Sequence, residues 1–220
     1  TIGRNVYSNL YYISEGIYQN TAEIAAGPKS TLAGSTLPGD IRYKDVNKDG
    51  VIDALDREQL DWGSPTYYGF GTALRYKILD FNAQFQGVSN RAISIQNLVR
   101  VGPNGLNQLS LDRWTPATAS PATYPRLGLA DQGNNTATSD FWLRDAGFLK
   151  LKTVELGINL PPGLLSRIHA QSIRFYLSAF NPLTFSKLGL DVDPELPRAG
   201  QAEGQYPYAR TYSLGLSARF

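Results

Sequence analysis

The 220-residue chain has no cysteine, no methionine and a single histidine, His169. Without thiols there can be no disulfide, no thiolate metal centre and no cysteine nucleophile. One imidazole leaves no histidine-rich zinc site and little scope for histidine acid–base chemistry. Excess charge of one sign is also missing, because 21 basic and 19 acidic residues give a net charge of +2. A nucleic-acid binder would show a clustered basic face, so nucleic acid is not an expected partner. No run approaches the roughly 18 uncharged apolar residues of a membrane-spanning helix. The opening residues Thr1-Ile2-Gly3-Arg4 lack the apolar core of a secretory leader, and no methionine starts the chain. These two absences lead to the expectation of a piece cut from a longer chain. No serine, aspartate or glutamate pair stands in a recognisable catalytic arrangement, so no enzyme is expected.

What is abundant points to strands. Thirteen tyrosines, nine phenylalanines and 21 glycines favour β-structure with many turns. From Tyr67 to Ile78 the even positions are Tyr68, Phe70, Thr72, Leu74, Tyr76 and Ile78, against mostly small or charged odd positions. That is the period of two expected of a strand with one apolar face. Phe81 to about Gly87 repeats it, with Phe81, Ala83 and Phe85 opposing Asn82, Gln84 and Gln86. A two-residue turn at Leu79-Asp80 would pair Ile78 with Phe81 and keep both apolar sets on one side. Phe148 to Leu160 alternates with a phase slip between Leu151 and Val154, so a β-bulge is expected near Thr153. Gln171–Phe180 and Thr211–Phe220 are further strands, and Asn5–Ile13 is a sixth candidate.

The connections alternate in length: long over 14–66, short at 79–80, long over 88–147, short over 161–170, long over 181–209. Outer-membrane β-barrels have short periplasmic turns and long extracellular loops. In hydrocarbon every backbone N–H and C=O must be paired, so strands close into a barrel with apolar residues toward lipid and polar ones toward the lumen. Tyr68, Tyr76, Phe81, Tyr212 and Phe220 stand near strand ends, where interfacial aromatic girdles form. Six strands fall short of the about 8 that a membrane barrel needs. The chain is therefore expected to supply part of a larger barrel. The alternative is a calcium-stabilised extracellular β-sandwich used for binding or adhesion, whose sheets also alternate.

Residues 45–56 read DVNKDGVIDALD. Asp45, Asn47, Asp49, Asp53 and Asp56 take positions 1, 3, 5, 9 and 12 of an EF-hand-type loop. The Val51 carbonyl completes the oxygen set, Gly50 permits the sharp turn, and Ile52 points inward as an apolar anchor. Asp56 replaces the usual glutamate, which shortens its reach and brings the pattern closer to dockerin-type loops. A structural Ca2+ stapling a long loop is the expectation; the alternative is an Asp/Asn/Gly-rich turn without metal.

The run PGDIRYKDVNKDGVIDALDRE (38–58) resembles the SusC/RagA signature that precedes a barrel strand. SPTYYGFGTALRYKILDFNAQFQG (64–87) resembles that family's next hairpin, and SDFWLRDAGFLKLKTVELGINLP (139–161) its aromatic-Arg-Asp run. EGIYQN (15–20), RWTP (113–116), YPRL (124–127), FYLSAFNPLTFSK (175–187), DPE (193–195) and YPYARTYSLGLSARF (206–220) follow in the family's order. The resemblance covers nearly all of residues 1–220 and implies the C-terminal strands of an all-β, antiparallel transmembrane barrel of about 22 strands. It implies a TonB-dependent importer of glycans, peptides or similar oligomers in the outer membrane of Bacteroidota. The implied partners are the rest of the barrel and its plug, outer-membrane lipid, a SusD-like surface lipoprotein acting as a lid, and the TonB complex. The plug and TonB box that the family carries are not in this sequence.

Candidate ligand contacts are Trp142, Arg144 and Trp114. Trp142 offers a ring for stacking on a sugar or peptide, beside the polar groups of Asp140, Arg144 and Asp145; the alternative is an interfacial girdle tryptophan with an ion pair that pins the loop. Trp62, Tyr206 and Tyr208 are further loop aromatics. Arg75, Lys77, Lys150, Lys152 and Arg219 are expected to face the lumen, and His169 to sit exposed in a short turn.

Overall fold

Segments that alternate apolar and polar side chains pair with one another, and in the large sheet the pairing is antiparallel throughout. The computed structural model describes residues 9–32, 34–96, 111–119, 121–128, 133–189, 193–195 and 209–220. In chain order the strands are β1 (Asn9–Tyr12), β2 (Ser14–Ile17), β3 (Lys29–Ser30), β4 (Ile41–Tyr43), β5 (Val51–Ile52), β6 (Arg57–Leu60), β7 (Thr66–Tyr76), β8 (Leu79–Ser89), β9 (Ala92–Ser94), β10 (Leu143–Asp145), β11 (Phe148–Asn159), β12 (Ser172–Ser186) and β13 (Thr211–Arg219). The chain divides into two units.

One unit is a single five-stranded sheet of order β13-β12-β11-β8-β7. Its register lines up whole rows of like side chains. Leu74, Phe81, Leu156, Leu177 and Leu214 form one row across all five strands, and Tyr76, Leu79, Ile158, Phe175 and Leu216 form the next. Every member of these rows apart from Phe81 is among the exposed large apolar residues. In a sandwich such a face would be covered by a second sheet. The opposite face is mostly polar or small in its middle, where Ala73, Asn82, Glu155, Ser178 and Ser213 share a row, and it also carries the large rings of Tyr176 and Phe180. At one end Arg174 joins Asp80 and Glu155, and Asn159 Nδ2 donates to Asp80 (2.7 Å).

Two glycines on the polar face are required by close approach. The Arg174 guanidinium lies across Gly157, and the Tyr176 ring lies across Gly215, its partner in register; each occupies the place a Cβ would take.

Several sequence expectations are corrected here. The hairpin turn is Lys77-Ile78, with Tyr76 paired to Leu79, not Leu79-Asp80 with Ile78 paired to Phe81. Such a turn needs a positive φ at least at its first position, and Lys77 supplies it (φ 53°). Lys77 is thus a turn residue and not a lumen-facing strand residue. Moving the turn by two residues leaves the alternation in phase, so both apolar sets still share a face. Asn9–Tyr12 is a strand, but it pairs with β6 outside the large sheet, and residues 5–8 lie outside the described residues. β12 runs on to Ser186 because Asn181 (φ 50°) and Pro182 form an irregularity within it; proline, lacking an N–H, is tolerated there.

The bulge expected near Thr153 is present between Leu151 and Thr153, with Lys152 as the extra residue. It keeps Leu151 and Val154 on the same face and re-aims a lysine. Lys150, 1% exposed, donates to Asp193 (2.6 and 2.8 Å) and Glu195 (2.7 Å), and Lys152 reaches Glu195 (3.1 and 3.2 Å). The Arg91 guanidinium donates to the Pro194 carbonyl. The connection after β12 is thereby tied to β11 through DPE.

The second unit contains four two-stranded pairings, β1-β6, β2-β4, β3-β5 and β9-β10, with a short helix α1 (Thr21–Ala26) capped by Asn20. Its core includes Tyr12, Tyr18, Ile41, Tyr43, Ile52, Ile95 and Trp142.

Two outcomes follow. Gly215→Val should drive a side chain into the Tyr176 ring and cost about 1–3 kcal/mol, read from urea titration of the full-length protein. Lys150→Met leaves two largely buried carboxylates short of a partner and should cost about 3–5 kcal/mol. The same variant should make residues 187–210 more readily cut by added protease than in the unaltered protein.

Candidate functional site

The 45–56 loop folds as its spacing dictates. Asp45 accepts from the N–H groups of Lys48 (2.7 Å) and Gly50 (2.8 Å), Asn47 from Asp49 (3.0 Å), Asp49 from Val51 (2.9 Å), and Asp53 from Leu55 (2.7 Å). Gly50 takes φ 84°, the left-handed region that favours glycine. Asp56 is fully buried and closes the loop, accepting from Val46 (2.9 Å) and Asp53 (2.8 Å). Ile52 is buried, as the anchor position requires, and pairs with Ser30 in the parallel β3-β5 ladder. The donor set is oxygen only, which suits a hard cation such as Ca2+. A carboxylate has about four lone-pair sites, so an N–H bond does not exhaust it. Among the described residues no three acidic or imidazole side chains are gathered closely enough to form a metal cluster.

A second polar assembly, which the sequence reading missed, organises the rest of this unit. Asp40, almost fully buried, accepts from Arg126 Nε (2.6 Å), Asn135 Nδ2 (2.8 Å) and the Leu37 N–H (2.8 Å). Asn135 Oδ1 accepts from the Ile41 N–H (2.9 Å), and its carbonyl accepts from Trp142 Nε1 (3.1 Å). The neighbouring Asn134 takes the Ser30 hydroxyl on its side chain (2.6 Å) and the Tyr43 hydroxyl on its carbonyl (2.5 Å). Burial pushes the Tyr43 phenol well above its ordinary range, so it stays a protonated donor. Burial raises Tyr12 and Tyr18 as well. Buried polar groups with complete partner sets fix a unique loop arrangement.

Trp142 is 2% exposed. Tyr124 stacks parallel to it (6.4 Å between centroids, 11°) and Phe141 meets it edge-on (4.9 Å, 79°). Trp142 is packed among aromatics inside the loop unit, so it stands neither as an open stacking ring nor in an interfacial girdle. Arg144 donates to the carbonyls of Phe141 and Leu143 (2.9 Å each), while Asp145 pairs with Lys187 (3.6 Å). Trp114 is half-buried; its ring lies against Gly39 and its N–H reaches Gln19 (3.3 Å). The three candidate ligand contacts thus serve the loop framework, and Trp62 remains exposed. Tyr206 and Tyr208 lie outside the described residues. His169 is exposed in its turn, with φ 55°.

No family model matches the chain. It is similar to TonB-dependent receptor P3 of Formosa agariphila, at 29% identity over 99% of the chain. It is also similar to TonB-dependent receptor P26 of the same organism, at 31% identity over 93% of the chain. It spans about a fifth of each, 22% of their length. Among solved structures, the RagAB peptide transporter superposes with a TM-score of 0.69 at 21% identity, covering 97% of this chain and 22% of that one. The RagAB peptide importer in its open-open state gives a TM-score of 0.66 at 22% identity, again covering 97% of this chain and 22% of that one. The large sheet and the loop unit are thus a fold already known within those proteins. On these likenesses the chain is similar, over nearly its whole length, to a part of the TonB-dependent receptors, and its fold is that of a part of the RagAB transporter.

Proposed function

We propose that this chain forms the closing strands of a barrel of about 22 strands in the outer membrane of a Gram-negative bacterium of the Bacteroidota. That barrel imports oligomeric nutrients, peptides or glycans, with energy delivered through TonB. One observation carries the reading: five strands in register expose two full rows of large apolar side chains and turn a row of polar and small ones the other way. Lipid is the solvent that suits such a face, because each fully buried aliphatic or aromatic side chain gains about 1.5–3 kcal/mol on leaving water. The polar face lines the lumen and its plug. The short connections, 77–78 and 160–171, then lie on the periplasmic side and the long ones outside. Both relatives are named as TonB-dependent receptors, and the similar structures are named as a peptide transporter and importer, which supports uptake of short oligomers. A SusD-like lipoprotein covers the outer loops, where exposed Trp62 is a contact candidate.

Within the loop unit, Asp45, Asn47, Asp49, Asp53, Asp56 and the Val51 carbonyl hold a structural Ca2+. When bound, the cation supplies cross-linking between backbone turns that the side chains have already drawn together. It has no catalytic task, and the chain has no enzymatic one.

Opposite faces give the functional test. Leu177→Lys places a charge toward lipid and should cost about 2–4 kcal/mol, seen as loss of the folded, heat-modifiable band in outer membranes. Gln84→Lys, on the polar face, should leave that band unchanged. Equal tolerance of both would overturn the membrane reading. For the loop, chelation should increase protease cutting within 30–60, and Asp45→Ala should reproduce the effect. No bound divalent cation by elemental analysis, with no response to chelator, would remove the metal.

A further inference from the structure

The two short connections of the large sheet carry apolar side chains that their own folding does not need. The first, Lys77-Ile78, exposes Ile78; the second, 160–171, exposes Leu164 and Ile168, each 47% accessible. The second connection is ordered by its backbone. Pro161 accepts from the N–H groups of Leu164 (3.0 Å) and Leu165 (3.2 Å), Ala170 donates to Leu165 (3.1 Å), and His169 (φ 55°) turns the chain toward β12. Polar side chains at 164 and 168 would serve this geometry equally well.

The two connections are joined. The Asn159 backbone N–H donates to the Ile78 carbonyl (2.7 Å), and Asn159 Nδ2 reaches the same oxygen (3.3 Å). They continue the apolar face of the sheet, whose last full row on this side includes Tyr76, Leu79 and Ile158. Their charge has one sign: Lys77 and Arg167 are exposed, and neither 77–78 nor 160–171 contains an acidic residue. The nearest carboxylate in register, Asp80, belongs to the opposite face and is engaged by Arg174 and Asn159. A Lys77 ammonium also sits over the Tyr76 ring at 5.2 Å, which places a cation beside an interfacial aromatic.

We propose that these connections form a foot that docks on the anionic phospholipid headgroups of the leaflet on their own side. Leu164 and Ile168 enter the headgroup and acyl boundary, and Arg167 and Lys77 meet lipid phosphates. The arrangement is that of an interfacial amphipathic segment with apolar tips and basic flanks. It adds to the lipid-facing sheet of the preceding section and rests on that reading.

Spin labelling tests the two separately. In the full-length receptor, made cysteine-free elsewhere, Leu164→Cys, Ile168→Cys and Leu177→Cys each carry a nitroxide in vesicles of phosphatidylcholine with or without phosphatidylglycerol. Oxygen should relax labels at 164 and 168 more than a water-soluble nickel chelate does, at a depth shallower than the label at 177. Adding phosphatidylglycerol should move the label at 164 deeper, and Arg167→Gln should cancel that shift. Labels at 164 and 168 that are open to nickel while 177 is lipid-embedded would overturn the foot, and so would docking on a protein, which leaves the labels outside lipid. A depth at 164 that ignores both phosphatidylglycerol and Arg167 would overturn the headgroup assignment. If the label at 177 is itself open to nickel, the lipid-facing sheet fails.

Discussion

The structure depends on register. A side-chain period of two means that a slip of one residue would carry a whole strand's apolar set to the other face. Leu74, Phe81, Leu156, Leu177 and Leu214 stand in one row only because four successive pairings agree. Each pairing also satisfies the backbone groups between its strands, which is the condition for existing in hydrocarbon at all. Neither constraint can be relaxed alone. A strand that slips keeps its hydrogen bonds but turns its charges to lipid.

The bulge at Lys152 shows how the sheet tolerates one exception. β11 begins with apolar residues at odd positions and ends with them at even ones, and the extra residue restores the face. The same residue brings a second lysine beside Lys150, so Asp193 and Glu195 are held by paired cations. A single irregularity thereby serves both the apolar rows and the tether of a long connection. The loop unit meets a different demand. Its backbone is not laddered over long runs, so buried side chains take over: Asp40, Asn134, Asn135 and Asp56 accept or donate where a sheet partner is missing. Loops without long ladders can keep one shape in this way.

What was legible in the sequence was local. The strands of the large sheet, the bulge and the backbone of the loop over 45–56 are written in spacing that a few consecutive residues reveal, whereas the short strands β2 to β6, β9 and β10 are not. The turn at Lys77-Ile78 was misplaced because Ile78 continues the apolar phase, and only the left-handed Lys77 marks the reversal. The end of β12 was placed early because Asn181-Pro182 reads as a stop, whereas a bulge accommodates it. The Asp40 assembly was hidden because its partners Arg126 and Asn135 lie 86 and 95 residues away in the chain. Trp142 was visible as a tryptophan beside charges, but nothing local says that Tyr124 and Phe141 cover it. The lysine tether had a usable sign, since LKLK and DPE were both noticed, but opposite charge alone does not choose partners.

Labelling of the receptor in intact outer membranes with a hydrocarbon diazirine dissolved in the bilayer tests the central claim most directly. After photolysis and peptide mapping, adducts should fall on Leu74, Phe81, Leu156, Leu177 and Leu214 and spare Asn82, Glu155 and Ser213. Adducts on Asn82, Glu155 and Ser213, or on neither set, would contradict the assignment of the apolar face to lipid.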